Sequence, residues 1–204
     1  MTAEPTVFVV HDDSSTRELL AWLMKRHGIR AEIFPDARSF LSVCRPDTRG
    51  CLVLDLNMPG MSGLDLQKCL KERGVELPVI FLSGRADVPK AVHAVKEGAV
   101  DFIEKPFDYK RVVELIGDCL RRDAATREER ERRREIERRL AQLTQREREV
   151  LEEVVAGRLN REIAEKLAIS VKTVEAHRAK IMEKIEVSSV AELVQATVAA
   201  RGRT

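Results

Sequence analysis

Four short apolar runs each end in groups able to do chemistry. Val7-Phe8-Val9-Val10 leads into His11-Asp12-Asp13, and Cys51-Leu52-Val53-Leu54 into Asp55-Leu56-Asn57. Val79-Ile80-Phe81-Leu82 leads into Ser83-Gly84, and Phe102-Ile103 into Glu104-Lys105-Pro106. Continuous apolar runs of this length read as strands covered on both faces. Ligands of an open parallel sheet gather outside the C-terminal ends of its strands, so these polar groups are expected on one rim. Carboxylates with a backbone carbonyl make an oxygen-rich seat for Mg²⁺, a hydroxyl and a lysine supply donors to an anion, and one carboxylate remains as nucleophile. Phosphoryl transfer is mainly positioning and charge neutralisation, and such a set supplies both. A lone aspartate is most simply a cap or a solvated charge; four such motifs in order at strand ends argue for a site.

The elements that must position these groups follow from the periodicity. Ala31-Glu32-Ile33-Phe34 reads as the remaining strand, and amphipathic stretches lie at Thr16 to His27, Ala37 to Cys44, Leu64 to Arg73, Ala91 to Glu97 and Tyr109 to Leu120. Strand–helix alternation predicts an α/β, doubly wound, five-stranded parallel sheet. Pro59, Gly60 and Gly63 fit a tight loop beside Asp55, and Asp87-Val88-Pro89 fits the start of the fourth helix.

From residue 121 to 139, fifteen of nineteen residues are charged, with neither Gly nor Pro. Ile136, Leu140 and Leu143 are too few apolar anchors for a coiled coil, so a solvated helix continuing the preceding one is expected. Beyond Leu143 no strand-like run occurs. Helices are expected at Gln145 to Ala156, at Asn160 to Leu167, from a Ser170 cap to Ile185, and from Ser188 or Ser189 to Ala200. A short helix, a tight turn at Ala168-Ile169-Ser170 and a longer helix form a helix-turn-helix pattern.

The third of these helices has two faces. Val174, His177, Ile181 and Ile185 share a stripe that packs against Ile163, Ala164 and Leu167. Lys172, Thr173, Glu175, Ala176, Ala179 and Lys180 lie mainly on the other side, the one suited to a major groove. There Glu175 would accept from a cytosine amino group and Ala176 touch a thymine methyl, while Lys172, Arg178 and Lys180 meet phosphate or guanine. Asn160 and Arg161 would face phosphate from the start of the second helix. Val190, Leu193, Val194, Thr197 and Val198 line one side of the last helix, and some of this stripe must cover the core.

Composition bounds these readings. At 204 residues, 44% apolar, the chain is long enough for one ordinary domain and a small one. It has no apolar run long enough for a membrane span, and its start lacks the pattern of a secretory signal, so a soluble, cytoplasmic protein is expected. Cys44, Cys51, Cys69 and Cys119 form no CxxC pair, which argues against zinc and disulfide frameworks and for buried small hydrophobes. Net charge is only +2, divided as −2 over residues 1–120, +3 over 121–143 and +1 over 144–204. A DNA-binding end would therefore rely on a few well-placed cations and on dimerisation.

The segments VFVVHDD, LVLDLNMPGMSG, FLSGRAD and DFIEKPF resemble the receiver domain of bacterial two-component response regulators, a flavodoxin-like fold. The run from Leu143 to Val194 resembles the LuxR-type helix-turn-helix output domain, and together they resemble the FixJ branch. The resemblance implies a receiver at residues 1–122, a charged helical linker at 123–142 and a DNA-binding domain at 143–204. It implies that Asp55 accepts a phosphoryl group from a histidine kinase, that Asp12, Asp55 and the Asn57 carbonyl hold Mg²⁺ or Mn²⁺, and that Ser83 and Lys105 hold phosphoryl oxygens. Ser83 and Phe102 would be the switch residues. Phosphorylation would then promote a homodimer that binds promoter double-stranded DNA and works with RNA polymerase. The chain is not expected to be an enzyme beyond helping its own phosphorylation and slow dephosphorylation.

One position departs from the pattern: His11 stands where receivers carry an acidic residue that helps hold the metal's water. Asp13 is a neighbouring carboxylate for the same task. A neutral imidazole removes a charge and adds bulk, which is expected to weaken Mg²⁺ binding and slow phosphorylation, unless Asp12 alone suffices. Two other readings remain: a phosphorylation-independent regulator whose receiver is an interaction module, and a phosphatase with an aspartyl intermediate. The latter would want a general acid soon after the nucleophile, and Leu56 and Asn57 offer none.

Overall fold

The computed structural model describes residues 4–84 and 93–201. The chain divides into two compact units between Thr126 and Arg127. In the first, strands β1 (Thr6–Val10), β2 (Ala31–Phe34), β3 (Gly50–Asp55), β4 (Val79–Ser83) and β5 (Asp101–Glu104) form one parallel sheet in the order β2-β1-β3-β4-β5. This is the doubly wound order whose reversal point lies between β1 and β3. Helices α1 (Ser14–Arg26), α2 (Ala37–Val43), α3 (Gly63–Glu72) and α4 (Tyr109–Ala141) follow their strands. Residues 93–96 are helical; the start expected at Ala91, and Asp87-Val88-Pro89, lie outside the described residues.

Alternating side chains of the strands build two cores. Phe8, Val10, Leu52, Leu54 and Phe81 meet Phe40 and Leu66 on one face. Val7, Val9, Cys51, Val53, Ile80 and Leu82 meet Leu20, Met24, Val112 and Ile116 on the other. Each such side chain contributes about 1.5–3 kcal/mol when fully buried. Cys44, Cys51 and Cys119 are buried free thiols among these groups, as their apolar character suggests. Parallel pairing in the register Val10↔Leu54 and Asp55↔Leu82 brings the ends of β1, β3 and β4 to a common edge.

The charged stretch is helical and belongs to α4, which runs without interruption from Tyr109. Its structural division falls later than the change in composition. Asp123 is buried and accepts from the Gly50 backbone N–H at 3.0 Å, tying that end to the first unit. Farther along, Leu140 packs on the core of the second unit, and Arg133 and Arg139 donate to the Ala200 and Ile185 carbonyls at 3.1 and 3.0 Å.

The second unit contains the rest of α4 and helices α5 (Gln145–Val155), α6 (Asn160–Leu167), α7 (Val171–Ile185) and α8 (Val190–Arg201). Its core joins Leu143, Val150, Leu151 and Val154 to Ile163, Val174, Ile181, Ile185 and Leu193. Thr144 and Glu147 form a capping box at α5, and Ser170 caps α7. Ala168 ends α6 in the left-handed region at φ 51°, closing the turn between α6 and α7. On α8, Leu193 and Thr197 are buried whereas Val190 and Val198 are exposed, so the predicted stripe is only partly used within the unit. Among the described residues, no helix is long and apolar enough to cross a membrane.

Candidate functional site

The polar groups expected on the rim of the sheet do meet there. Asp55, the last residue of β3, is 6% exposed, and Ser83, the last of β4, is fully buried. The loop after β3 passes close beneath Asp55: a Cβ added at Gly63 would lie 2.3 Å from the Asp55 carbonyl oxygen, so only glycine fits. The Asn57 backbone N–H donates to the Asp55 carboxylate. His11 is 2% exposed, with Nε2 at 3.9 Å from Asp55 Oδ2 and Nδ1 at 3.4 Å from Asp12 Oδ1. Lys105 reaches in from the end of β5, its Nζ 2.6 Å from His11 Nε2 and 3.3 Å from Thr16 Oγ1.

The charges are strained as they stand. Burial pushes the Asp55 carboxyl up to about 6, with the Asp12 charge adding to the rise and Lys105 opposing it. His11 is lowered to about 4, first by burial and then by the Lys105 charge, so its imidazole is neutral near pH 7. Ligand atoms of His11, Asp12 and Asp55 all lie within 4.8 Å of one another. Two crowded carboxyls and a neutral imidazole at this spacing fit a divalent cation.

Several expected contributors are otherwise engaged. Asp13 caps α1, accepting from Thr16 N at 2.8 Å and Thr16 Oγ1 at 2.6 Å, so its carboxylate serves the helix rather than the metal's surroundings. His11, expected beside the metal, instead stands among the three groups able to hold one. Phe102 is half-buried at the edge of the core. Sequence reasoning missed Arg17, whose Nη1 donates to the His11 and Asp12 carbonyls at 2.8 and 2.6 Å and so fixes the chain entering the site. It also missed Thr16. Both stand one turn into α1, where nothing local marks them.

The second unit presents a surface of different character. Lys172, Glu175, Ala176, Ala179 and Lys180 are exposed on α7, and Arg161 is exposed on α6. Val174 and Ile181 are fully buried beneath them, and His177 is half-buried. Three expected contacts are already committed within the protein. Arg178 donates to Asn160 Oδ1 at 2.5 Å, which pins α7 to the start of α6, and Thr173 Oγ1 lies 2.8 Å from the capping Ser170 Oγ. Beneath the surface Glu147, also unforeseen, accepts from Lys184 at 2.7 Å and from Thr144 N at 2.8 Å.

Known proteins share both halves of this architecture. The response regulator receiver domain family matches residues 7–117, and the family of bacterial regulatory proteins, luxR family, matches residues 141–197. The transcriptional regulatory protein FixJ of Azorhizobium caulinodans is 44% identical, over 93% of this chain and 90% of its own. The transcriptional regulatory protein TdiR of Thauera aromatica is 42% identical, over 93% of this chain and 83% of its own. Among solved structures, the response regulator StyR superposes with a TM-score of 0.86 at 42% identity, covering 96% of this chain and 98% of that one. Full-length FixJ from B. japonicum superposes with a TM-score of 0.59 at 35% identity, covering 100% of both chains. With a receiver matched at one end and a LuxR-family module at the other, the chain belongs to the FixJ-like response regulators, transcription factors of two-component signalling.

Proposed function

We propose that Asp55 takes a phosphoryl group from the phosphohistidine of a histidine kinase, and that this modification controls DNA binding by α7. The observation that carries the reading is the buried Asp55 carboxyl at the reversal point of the sheet, facing His11 and Asp12 and within the field of Lys105. A carboxylate oxygen of Asp55 attacks phosphorus as the P–N bond to the kinase imidazole breaks, and the imidazole leaves with the bonding pair. Asp12, Asp55 and the Asn57 carbonyl would hold a divalent cation such as Mg²⁺ or Mn²⁺, whose charge would offset the negative charge gathered in that step. Lys105 leaves His11 to meet a phosphoryl oxygen, and Ser83 donates to another. Phe102 then changes rotamer, and the face formed by β5 and the helix before it pairs with a second copy. This is a population shift in a bistable domain.

Dimerisation brings two copies of α7 to promoter DNA and offsets the small net charge. Lys172, Lys180 and Arg161 meet phosphate, while Glu175, Ala176 and Ala179 face base edges. Arg178, Asn160 and Thr173 hold the helices that present them. RNA polymerase is the expected partner on DNA.

A second reading has a specific observation behind it. The Lys105 ammonium already sits on His11, which favours a receiver locked without phosphate and used only for protein contacts. One experiment separates the two: treat the full chain with a small phosphodonor and Mg²⁺, then follow mass, dimerisation and DNA binding. A phosphate-sized mass increase lost in Asp55→Asn, accompanied by dimerisation and tighter DNA binding, is expected. An unmodified Asp55 with unchanged DNA binding gives the second reading.

A further inference from the structure

We propose that His11 turns the receiver's carboxylate site into one that selects a first-row transition-metal dication over Mg²⁺, with the His11 imidazole as a direct nitrogen ligand. The inference rests on the reading above for the place of the cation, and differs from it on the cation's identity and on who holds it.

Geometry carries the case. The His11 ring is almost wholly enclosed, so it cannot turn out to solvent and leave the site to the carboxylates. Its Nε2 faces inward, 3.9 Å from Asp55 Oδ2. Donor atoms that share one metal at about 2.1 Å are about 3–4 Å apart, and this separation falls in that range. A third donor, from Asp12, completes a set whose atoms are all within 4.8 Å of one another, a spread that a small closure onto a cation removes. Lys105 marks the nitrogen a cation would meet: its Nζ lies 2.6 Å from Nε2, the ring nitrogen that also faces Asp55. The Asp13 amide N–H donates to Nδ1 at 3.0 Å, so a metal at Nε2 requires the ring hydrogen to sit on Nδ1, beside Asp12 Oδ1 at 3.4 Å, and the Asp13 bond to open. A positive charge therefore already rests against the nitrogen a metal would use.

Chemistry decides the class. Mg²⁺ is a hard cation that takes oxygen donors, and replacing a carboxylate by imidazole removes both an oxygen and a negative charge from its site. Imidazole suits Fe²⁺, Ni²⁺ and Zn²⁺, and affinity for mixed nitrogen and oxygen donors rises along the first row from Mn²⁺ to Cu²⁺. Lys105 must withdraw for the metal to reach Nε2, which is the same movement the phosphoryl group requires of it.

The test uses the full chain. Mg²⁺, Mn²⁺ and Ni²⁺ are titrated calorimetrically into the native protein and into His11→Asp, and electron spin-echo modulation is recorded on bound Mn²⁺. The native protein is expected to prefer Ni²⁺ to Mg²⁺ by a ratio that falls about tenfold or more in His11→Asp, and to show nitrogen modulation that the variant lacks. An unchanged ratio, or bound Mn²⁺ without nitrogen modulation, overturns the proposal. If His11→Asp does not fold, Asp55→Asn replaces it: loss of the nitrogen signal assigns it to this site, and its persistence assigns it to another histidine and overturns the proposal. Phosphodonor treatment under Mg²⁺ and under Mn²⁺ separates the two ideas. An Asp55 adduct without nitrogen ligation leaves the phosphorylation reading standing alone, and nitrogen ligation without an adduct does the reverse.

Discussion

The two units handle polar side chains in opposite ways. In the first, His11 and Asp55 are buried and face each other, so the site is held under electrostatic tension that a bound cation or a phosphoryl group relieves. In the second, Lys172, Glu175 and Lys180 stand in water on α7, while the buried polar groups, Glu147 among them, are matched by partners. A switch stores its response in unsatisfied charge; a reading surface needs a rigid base and free outer groups.

The largest effect that tests this contrast is Asp55→Asn, which should abolish the phosphate adduct and any phosphodonor-dependent gain in DNA binding. The binding of untreated protein should stay near its basal level in a gel-shift assay; a large drop would mean that the two functions are not separable. Next comes Glu147→Ala, which removes a buried carboxylate from Lys184 and the capping box. A loss of about 3 kcal/mol is expected in the thermal unfolding of the second unit, with the receiver unaffected.

Acid should divide the units further. The Lys184 and Thr144 hydrogen bonds hold Glu147 down to about 2 from its ordinary 4.5. Its stabilisation is therefore complete above about pH 4.5 and lost as pH falls towards 2. Asp55, raised to about 6 from 3.8, behaves in reverse: its contribution is present below 3.8 and lost as pH rises through 6. His11, lowered to about 4 from 6.5, contributes above 6.5 and loses that as pH falls through 4. Between about pH 4 and 6 the two receiver shifts oppose each other, so the receiver's stability should vary little there, and Asp55→Asn should expose the His11 slope in denaturant titrations at several pH values.

Smaller effects sharpen the description of α7. Lys180→Ala should weaken binding to all sequences alike and reduce the salt slope by about one. Glu175→Ala should change base preference by about 1–3 kcal/mol at a single position; unchanged selectivity in a binding-site selection would remove its base-reading role. Smallest of all, Ala168→Gly relieves the left-handed backbone at φ 51° and should stabilise the second unit by about 0.5 kcal/mol.

The frame of the receiver was legible because each strand carries its own apolar signal and each motif directly follows one. Asp12, Asp55, Ser83 and Lys105 could be grouped from strand ends alone, for the parallel order sends every such end to the same edge. What escaped was direction. Asp13 follows Asp12 immediately, yet the turn after β1 aims it at Thr16 as a cap, and no periodicity encodes that turn. Arg178 has the spacing of an outward-facing cation, but Asn160, eighteen residues earlier, captures it. The end of the first unit is hard to place from sequence for the same reason: Asp123 looks like one more charge in a charged stretch until the Gly50 amide is found beside it.

The arginines of α4 bear on how DNA affinity will respond to ionic strength. Residues 121–143 hold the largest positive surplus in the chain. Yet Arg133 is bound to Glu137 and the Ala200 carbonyl, Arg138 to Glu135, and Arg139 to Glu135, Glu186 and the Ile185 carbonyl. Counterions are released from DNA only by cations that reach a phosphate. Side chains spent on closing helix ends release none, and the number of ions liberated per binding event should fall well short of the arginines counted along the helix.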